Sequence, residues 1–350
     1  MLSEKYNSHD SLVGPTPVPS NQDVKLSIVV PMFNEEENLQ NTVDRIAEVM
    51  KGFRDGVWEL ILVDDGSLDR TKDCGCQLAA REGYEFLRMA GYSVNRGRGY
   101  ALRTGFETAR GEWIVSTDAD LSYEPSYIMN IVEVLRECDD IDLVIASAYM
   151  PGGGVEGVRP FRLLISRLGN IILSWFMSTP GQKIHTITCV FRGYRRHVLD
   201  HMELESEGKD IHLEILSKAL MNGCRFKQIP VILRGRKLGS SKFHFRGTAI
   251  SHLIFALFER PIIIFGIVGL LLIMVSFVSL GVILWHWLQG TLNQGRPLIT
   301  FTMMAFLGGI QLFSFGIIAM QIVSLRKEII KVQARNNQLL RYAAKPDGDE

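Results

Sequence analysis

Apolar and polar positions follow two periods along this chain. "KLSIVVPMF" (25–33) is a continuous apolar run ending at a polar loop, which predicts a strand buried on both faces. "NEEENLQNTVDRIAEVM" (34–50) switches to helical spacing, with acids in its first turn. "WELILVDDGS" (58–67) predicts a second strand, closed by two acids and a glycine. A short helix, "TKDCGCQLAAREG" (71–83), precedes a weakly marked third strand, "YEFLRMA" (84–90). "RGYALRTGFETARG" (98–111) predicts a helix, and "EWIVSTDAD" (112–120) and "IDLVIASAY" (141–149) predict strands. Strands alternating with helices predict an α/β, mostly parallel sheet, whose ligands bind at the carboxyl ends of strands.

Two later runs break this rhythm. Pro261 to Trp285 and Pro297 to Leu325 contain no charged residue. A bilayer core needs about 20 apolar residues per helix, so each run is long enough to span it. The link "HWLQGTLNQGR" is short, so the pair forms a hairpin, about 261–287 and 297–325, with both ends on one side. Arg260 precedes it and Arg326, Lys327, Lys331 and Arg335 follow, against Arg296 alone in the loop. That asymmetry puts the preceding 260 residues and both termini in the cytoplasm. "FRLLISRLGNIILSWFM" (161–177) sets Leu164, Leu168, Ile171, Ile172 and Trp175 near helical spacing, accompanied by Arg159, Arg162 and Arg167. "HFRGTAISHLIFALFERP" (244–261) is similar. Basic amphipathic helices with Trp and Phe lie in the bilayer interface; the alternative is ordinary packing against the sheet.

Composition adds bounds. The 350 residues carry 38 Lys and Arg against 38 Asp and Glu, so charge gives no basis for a nucleic-acid partner. Five cysteines without zinc-ligand spacing read as reduced thiols facing a cytosol. Residues 1–23 are polar and proline-containing and read as a disordered tail. The expected organisation is a catalytic domain over 24–243, an interfacial helix over 244–260, a membrane hairpin over 261–325 and a cytoplasmic basic tail over 326–350. The composition leaves a homo-oligomer open.

The candidate chemistry is acidic. Glu35, Asp64, Asp65, Asp118 and Asp120 all fall at predicted strand ends. Asp-x-Asp alone also caps turns. Five acids on one edge favour a divalent hard cation, which takes carboxylate oxygens and bridges to phosphates. The one GxGxxG spacing, "GGGVEG" (152–157), does not open a predicted helix as a glycine-rich phosphate loop does, and GxxxxGK does not occur, which argues against a Rossmann dehydrogenase or a P-loop enzyme.

"SIVVPMFNEEENL", "LILVDDGSLDRT", "NRGRGYALRTGF" and "STDADLSYEP" resemble, in order, the signatures of glycosyltransferase family 2. They look most like those of its polyprenyl-phosphate sugar transferases, of the dolichyl-phosphate mannose synthase type. "RPFRLLISRLGN", "CVFRGYRR" and "RGRKLGSSKF" extend the resemblance over about residues 25–245. It implies a GT-A, Rossmann-like, nucleotide-sugar-binding fold with a DXD motif and a divalent metal, Mg²⁺ or Mn²⁺. Carried over residue by residue, Pro31, Phe33, Glu35, Val63 and Asp65 would line the base and ribose pocket. Asp118, Ala119 and Asp120 would meet the metal and diphosphate, with both aspartates as metal ligands. Arg236 and Lys242 would close over the phosphates, and Arg162, Ser166 and Arg167 would hold the phosphate of a polyprenyl or dolichyl acceptor. Asp118, Asp120, Arg162, Ser166 and Arg236 form the implied catalytic set.

Four positions depart from the family pattern. Phe33 replaces the usual Tyr, Ser122 a Gln metal ligand, Ala148 an Arg that reaches the phosphates, and Thr186 the Asp of "DxTSGF". The implied reaction is inverting transfer of a hexose from a nucleotide sugar, with GDP-mannose as lead donor and UDP-glucose as the alternative. The acids of "ESEGKDIHLE" (205–214), among them Glu207 and Asp210, read as structural rather than as a general base. Two rivals remain. One is a processive polysaccharide synthase, whose Gln-x-x-Arg-Trp motif "QLLRY" (338–342) mimics after the last span. The other is an inactive scaffold that binds nucleotide sugar or lipid.

Overall fold

The computed structural model describes residues 23–158, 183–200, 202–235, 261–291 and 297–343, with Leu163, Ser166, Arg167, Gly169, Asn170, Ile171, Ser174 and Met177 between the first two blocks. The chain divides into two compact units, Met1–Ala249 and Ile250–Glu350.

In the first unit the strands are β1 (Val24–Met32), β2 (Val57–Asp65), β3 (Leu87–Tyr92), β4 (Trp113–Ser116), β5 (Leu143–Ser147), β6 (Gly154–Glu156), β7 (Arg192–Arg195), β8 (Phe226–Pro230) and β9 (Ile232–Arg234). The helices are α1 (Glu36–Met50), α2 (Thr71–Ala79), α3 (Arg98–Thr108), α4 (Tyr127–Glu137), α5 (Arg196–Asp200) and α6 (Ile211–Met221). Seven strands form one sheet in the order β3-β2-β1-β4-β7-β5-β8, while β6 and β9 pair separately. Neighbours are parallel except β7, which runs antiparallel to both β4 and β5. The mostly parallel expectation therefore fits, with one reversed strand inserted.

Each face of the sheet is closed by side chains that the helical period aligns. Leu39, Val43, Ile46 and Met50 of α1 are buried with Leu26, Ile28 and Val30 of β1. Each such side chain contributes about 1.5–3 kcal/mol by leaving water. On the opposite face α3 comes close because Gly105 has no side chain; a Cβ there would lie 2.3 Å from Val29 Cγ1.

One buried charge ties the central strands together. Glu59 of β2 accepts hydrogen bonds from Ser27 Oγ (2.7 Å), Arg88 Nη1 (2.9 Å), and the backbone N–H (2.8 Å) and Nη2 (2.8 Å) of Arg110. Gly111 N–H also donates to Ser27 Oγ at 2.8 Å, so the approach to β4 is fixed on β1.

The second unit holds α7 (Pro261–Leu288) and α8 (Pro297–Ala343). Both are long and apolar enough to cross a membrane, over Phe265–Leu288 and Pro297–Leu325. Only 17% of each apolar window is buried, which fits a membrane anchor better than a soluble core. The helices run antiparallel and touch at glycine: a Cβ on Gly269 would lie 2.7 Å from Gly309 O. Gly290, in left-handed conformation (φ 65°), ends the first helix. α8 does not stop with the apolar run but continues to Ala343, so the expected basic tail is helical that far.

Candidate active site

Strand order reverses between β1 and β4, the position where open α/β sheets bind ligands beyond their strand ends. The lips of this crevice are the loops after those strands. Both contain a non-glycine residue in left-handed conformation, Asn34 (φ 52°) and Leu121 (φ 51°). Asn34 is held there by the β2–α2 loop: Leu68 N–H donates to its Oδ1 at 2.7 Å, and its own N–H donates to Ser67 Oγ at 2.8 Å. Leu121 sits inside a tight turn in which Ser122 N–H donates to Asp120 Oδ1 at 2.9 Å. Thr42 Oγ1 of α1 donates to Ala119 O at 2.6 Å, fixing the Asp118–Asp120 loop to the helix across the crevice.

The five acids share the edge but do not form one cluster. Among the described residues no three His, Cys, Asp or Glu side chains are grouped to hold a metal. Asp65 is occupied by the β3–α3 turn. It accepts from Tyr92 Oη (2.7 Å), Asn95 Nδ2 (3.1 Å), Arg96 N–H (2.8 Å) and Gly97 N–H (3.0 Å). Asp64 faces Ser67, whose N–H donates at 3.3 Å, and its Oδ1 is buried with no hydrogen-bond partner among the described residues. Burial pushes the Asp64 carboxyl above its ordinary range, against the hydrogen bonds from Ser67. Glu35 accepts from Asn38 Nδ2 at 2.7 Å, while its N–H donates to Thr71 Oγ1 at 2.9 Å. Asp118 and Asp120 stand at the mouth itself. Arg98, at the start of α3, lies 3.0 Å from Asp118 Oδ1.

The remaining expected residues divide. Pro31 and Val63 are paired across β1 and β2, but Val63 is fully buried against α3 and its strand is paired on the other edge as well, with Ala90 of β3. Phe33 follows β1 at the same lip, half-buried. Ser122 has a structural place: its N–H serves Asp120 and its carbonyl accepts Arg234 N–H at 2.8 Å. β9 is thereby pinned beside the acidic loop two residues before Arg236. Arg236, Lys242, Arg159 and Arg162 lie outside the described residues, as do 1–22 and the expected helix over 244–260.

Ser166 accepts a 2.8 Å hydrogen bond from Tyr149 Oη. One turn on, Asn170 donates to Ser166 O (3.0 Å) and accepts from Ile187 N–H (2.9 Å). The described helical residues here bury a polar face, Asn170 and Ser174 with Met177, while Ile171 is 64% exposed and Arg167 is exposed. Thr186 hydrogen-bonds Ser147 Oγ at 2.8 Å and accepts from Tyr149 N–H at 3.4 Å, the residues on either side of Ala148. The missing Arg and the missing Asp are therefore neighbours, and their joint absence leaves no buried charge unpaired.

Glu207 has a role that spacing alone does not show. Its carbonyl accepts from Gly99 N–H (2.7 Å) and Tyr100 N–H (3.2 Å), capping α3, and its carboxylate pairs with Arg96 at 2.7 Å. A Cβ on Gly99 would lie 2.4 Å from Ser206 O, so glycine is required for this approach. Glu214 holds the same turn through the N–H groups of Glu205 (2.9 Å) and Ser206 (2.8 Å). All five cysteines are free thiols, and burial pushes Cys189 and Cys224 up to about 11, which makes them poor nucleophiles.

A divalent cation fits the donor set at the mouth. Two carboxylates one residue apart supply the hard oxygen donors that such a cation takes. Magnesium is commonly held by one or two carboxylates with phosphate oxygens completing the shell.

Residues 27–202 match the sequence profile of the family described as Glycosyl transferase family 2. A dolichol-phosphate mannosyltransferase of Pyrococcus furiosus is 30% identical over 273 residues, 74% of each chain. A dodecaprenyl-phosphate galacturonate synthase of Rhizobium johnstonii is 29% identical over 85% of this chain and 87% of its own. A polyprenol monophosphomannose synthase of Mycolicibacterium smegmatis is 30% identical over 61% of this chain and 79% of its own. Among solved structures, glucosyl-3-phosphoglycerate synthase of Mycobacterium tuberculosis, in complex with phosphoglyceric acid, superposes with a TM-score of 0.50 at 19% identity, covering 67% of this chain and 80% of that one. That likeness concerns the fold alone. The matched profile spans half of the chain and includes both lips of the crevice, so the chain belongs to glycosyltransferase family 2 and is a GT-A-fold glycosyltransferase.

Proposed function

We propose that this protein transfers a hexose, with inversion, from a nucleotide sugar to a polyprenyl or dolichyl phosphate at the cytoplasmic face of a membrane, and that GDP-mannose is the lead donor. The observation that carries the reading is the Asp118–Asp120 pair at the β1/β4 crevice, held by Thr42 and by the Leu121 turn. Pro31, Phe33 and Glu35 would take the base and ribose at one lip. Asp65 would act indirectly, by fixing the β3–α3 turn that presents Arg98. Asp118 and Asp120 would hold Mg²⁺ or Mn²⁺ on the diphosphate; when bound, such a cation offsets the charge of the departing nucleoside diphosphate. Arg98, Arg236 and Lys242 would add cationic contacts to that diphosphate.

The acceptor needs little activation. A phosphate monoester has a second pKa near ~6, so its oxygen is anionic at neutral pH. That oxygen would attack the anomeric carbon as the bond to the diphosphate oxygen breaks. Arg162, Ser166 and Arg167 would orient it, with Ser166 positioned by Tyr149. The outward-facing Ile171 would keep this helix at the lipid surface. A second reading keeps the acceptor and changes the sugar: the galacturonate synthase relative aligns over more of the chain than the mannosyltransferase does. Purified protein with polyprenyl phosphate and GDP-mannose, UDP-glucose or UDP-galacturonate, tested separately, decides the donor. Turnover with one donor names it. Sugar polymer in place of a single transfer supports the processive synthase, and nucleotide binding without turnover supports the scaffold.

A further inference from the structure

We propose that α8 pairs with the same helix of a second copy of this chain, in parallel and in register, along a stripe that runs from mid-membrane into the cytoplasmic extension. The stripe is Gln311, Phe315, Ile318, Ile322, Leu325, Ile329, Val332, Asn336, Leu339 and Ala343. Its spacing alternates four and three residues without interruption, the repeat of a left-handed coiled coil. The helix that carries it is continuous from Pro297 to Ala343. No glycine or proline occurs after Gly316 within it.

This face is not the one used within the hairpin. Thr302, Ala305 and Gly309 are buried positions of α8 that face α7, and at about 100° per residue the stripe lies more than a third of a turn away from them. From Phe315 to Val332 the stripe's apolar residues are 51% to 61% exposed. Within the membrane such exposure is ordinary. Ile329 and Val332 are different, because they follow Arg326 and Lys327 and lie beyond the apolar span, where water would meet them.

Two polar residues identify the occupant as a second copy. Gln311 is midway along the span Pro297–Leu325 and exposed on the stripe. A carboxamide facing hydrocarbon is costly, and association between membrane helices is commonly supported by such side chains bonding each other. The bilayer orients every copy of α8 alike, so only an identical helix in register sets Gln311 opposite Gln311 and Asn336 opposite Asn336. Asn at one core position, with Ile at the a sites (Ile322, Ile329) and Leu at d sites (Leu325, Leu339), is the pattern that favours two parallel strands. Flanking positions agree. In that register Gln321 faces Arg326, Glu328 faces Gln333 and Arg335 faces Leu340, so no two like charges meet.

The inference rests on the membrane reading of α8 and not on the catalytic one. It is tested with the full chain, both in native membranes and in detergent, by oxidative crosslinking of V332C on the stripe and A334C off it, against the unsubstituted protein. V332C should give a crosslinked dimer above that background and A334C should not. Equal crosslinking at the two sites, or none at V332C, overturns the pairing. Separately, light scattering of the detergent-solubilised chain should show two copies, falling to one in I329K/V332K but not in the off-stripe variant A334K. These substitutions lie outside the unit that carries the crevice, so retained nucleotide binding reports that the protein is folded. A wild-type monomer, or a dimer indifferent to I329K/V332K, also overturns the proposal. Crosslinking is read without turnover, so failure of the transfer reaction would leave the pairing result standing.

Discussion

Leu121 is a residue in the wrong conformation for its type. A bulky L-residue at φ 51° costs on the order of 1–2 kcal/mol, and such cost is characteristic of ligand-binding turns. The turn gains a fixed direction for the Asp120 carboxylate, through Ser122 N–H. Leu121→Gly would remove the strain and also the constraint. We expect its thermal midpoint to be unchanged or slightly raised while transfer falls severalfold; loss of both together would show that Leu121 mainly packs. Asp120→Ala tests the centre directly. Transfer should be abolished with the fold intact, and EDTA on the unsubstituted protein should do the same, reversed by Mg²⁺ or Mn²⁺. Full activity in excess EDTA rejects the metal. Ala148 gives a complementary test, because Thr186 beside it offers a hydroxyl where a cation would need a carboxylate. Ala148→Arg alone should destabilise by about 3–5 kcal/mol, the usual penalty for an uncompensated buried charge, and calorimetry should show a lower midpoint.

At the scale of elements, the first seven strand and helix assignments each have an observed counterpart from β1 to β4 within a few residues, and all but the weakly marked third strand follow directly from period. Later elements of this unit, α4, β6, β7, α5, α6, β8 and β9, are not read from the same pattern, and three of them show why. α4 is amphipathic, with Ile128, Ile131, Val132 and Leu135 buried, yet it is short and follows the acidic loop directly, so its period is marked by only four residues. β7 is four residues, "RGYR", with Arg192 fully buried, so neither alternation nor an apolar run marks it. Arg192 is accommodated because its Nη1 donates to His212 O at 2.8 Å, a tertiary solution that no local spacing announces. α6 follows the turn that caps α3, so the function of Glu207 depends on a contact made across more than a hundred residues. The acidic edge is legible for the same reason as the strands: carboxylates at strand ends are a local signal. Which of them point into the crevice is not, because Asp64 and Asp65 alternate to opposite faces of β2. Glu59, in sequence, is one polar position within an apolar strand, and nothing local marks the partners that hold it. Burial raises its pKa, but the hydrogen bonds from Ser27, Arg110 and Arg88 outweigh this and hold it below its ordinary value of 4.5. A depressed pKa stabilises the fold above the unfolded value and loses that contribution as pH falls through the folded one. Glu59→Gln should therefore lower stability at pH 7 and flatten the loss of stability below pH ~4.5. Equal acid sensitivity in both proteins would assign the acid response elsewhere.

For the whole molecule, the charges around the hairpin imply an orientation that the folded units do not themselves reveal. Arg260 precedes the first span and Arg326, Lys327, Lys331 and Arg335 follow the second, whereas the connecting loop has Arg296 alone. Basic residues close to span ends are retained on the cytoplasmic side, so both termini should lie there and residues 289–296 should face outward. Under the proposed function that side also holds the acidic crevice, where a cytoplasmic nucleotide sugar would reach Asp118 and Asp120. A single cysteine at Asn293 gives a clean measurement. The native cysteines all lie between Cys74 and Cys224, on the inner side in this topology, and two of them have thiols raised to about 11 by burial. An impermeant maleimide added to intact cells should label N293C and leave the unsubstituted protein unlabelled. Permeabilisation should then add signal from the accessible native thiols in both. Labelling of N293C only after permeabilisation would invert the hairpin. It would also move the crevice to the outer face, where the donor would have to be supplied from outside and the proposed use of a cytoplasmic nucleotide sugar would fail with the orientation.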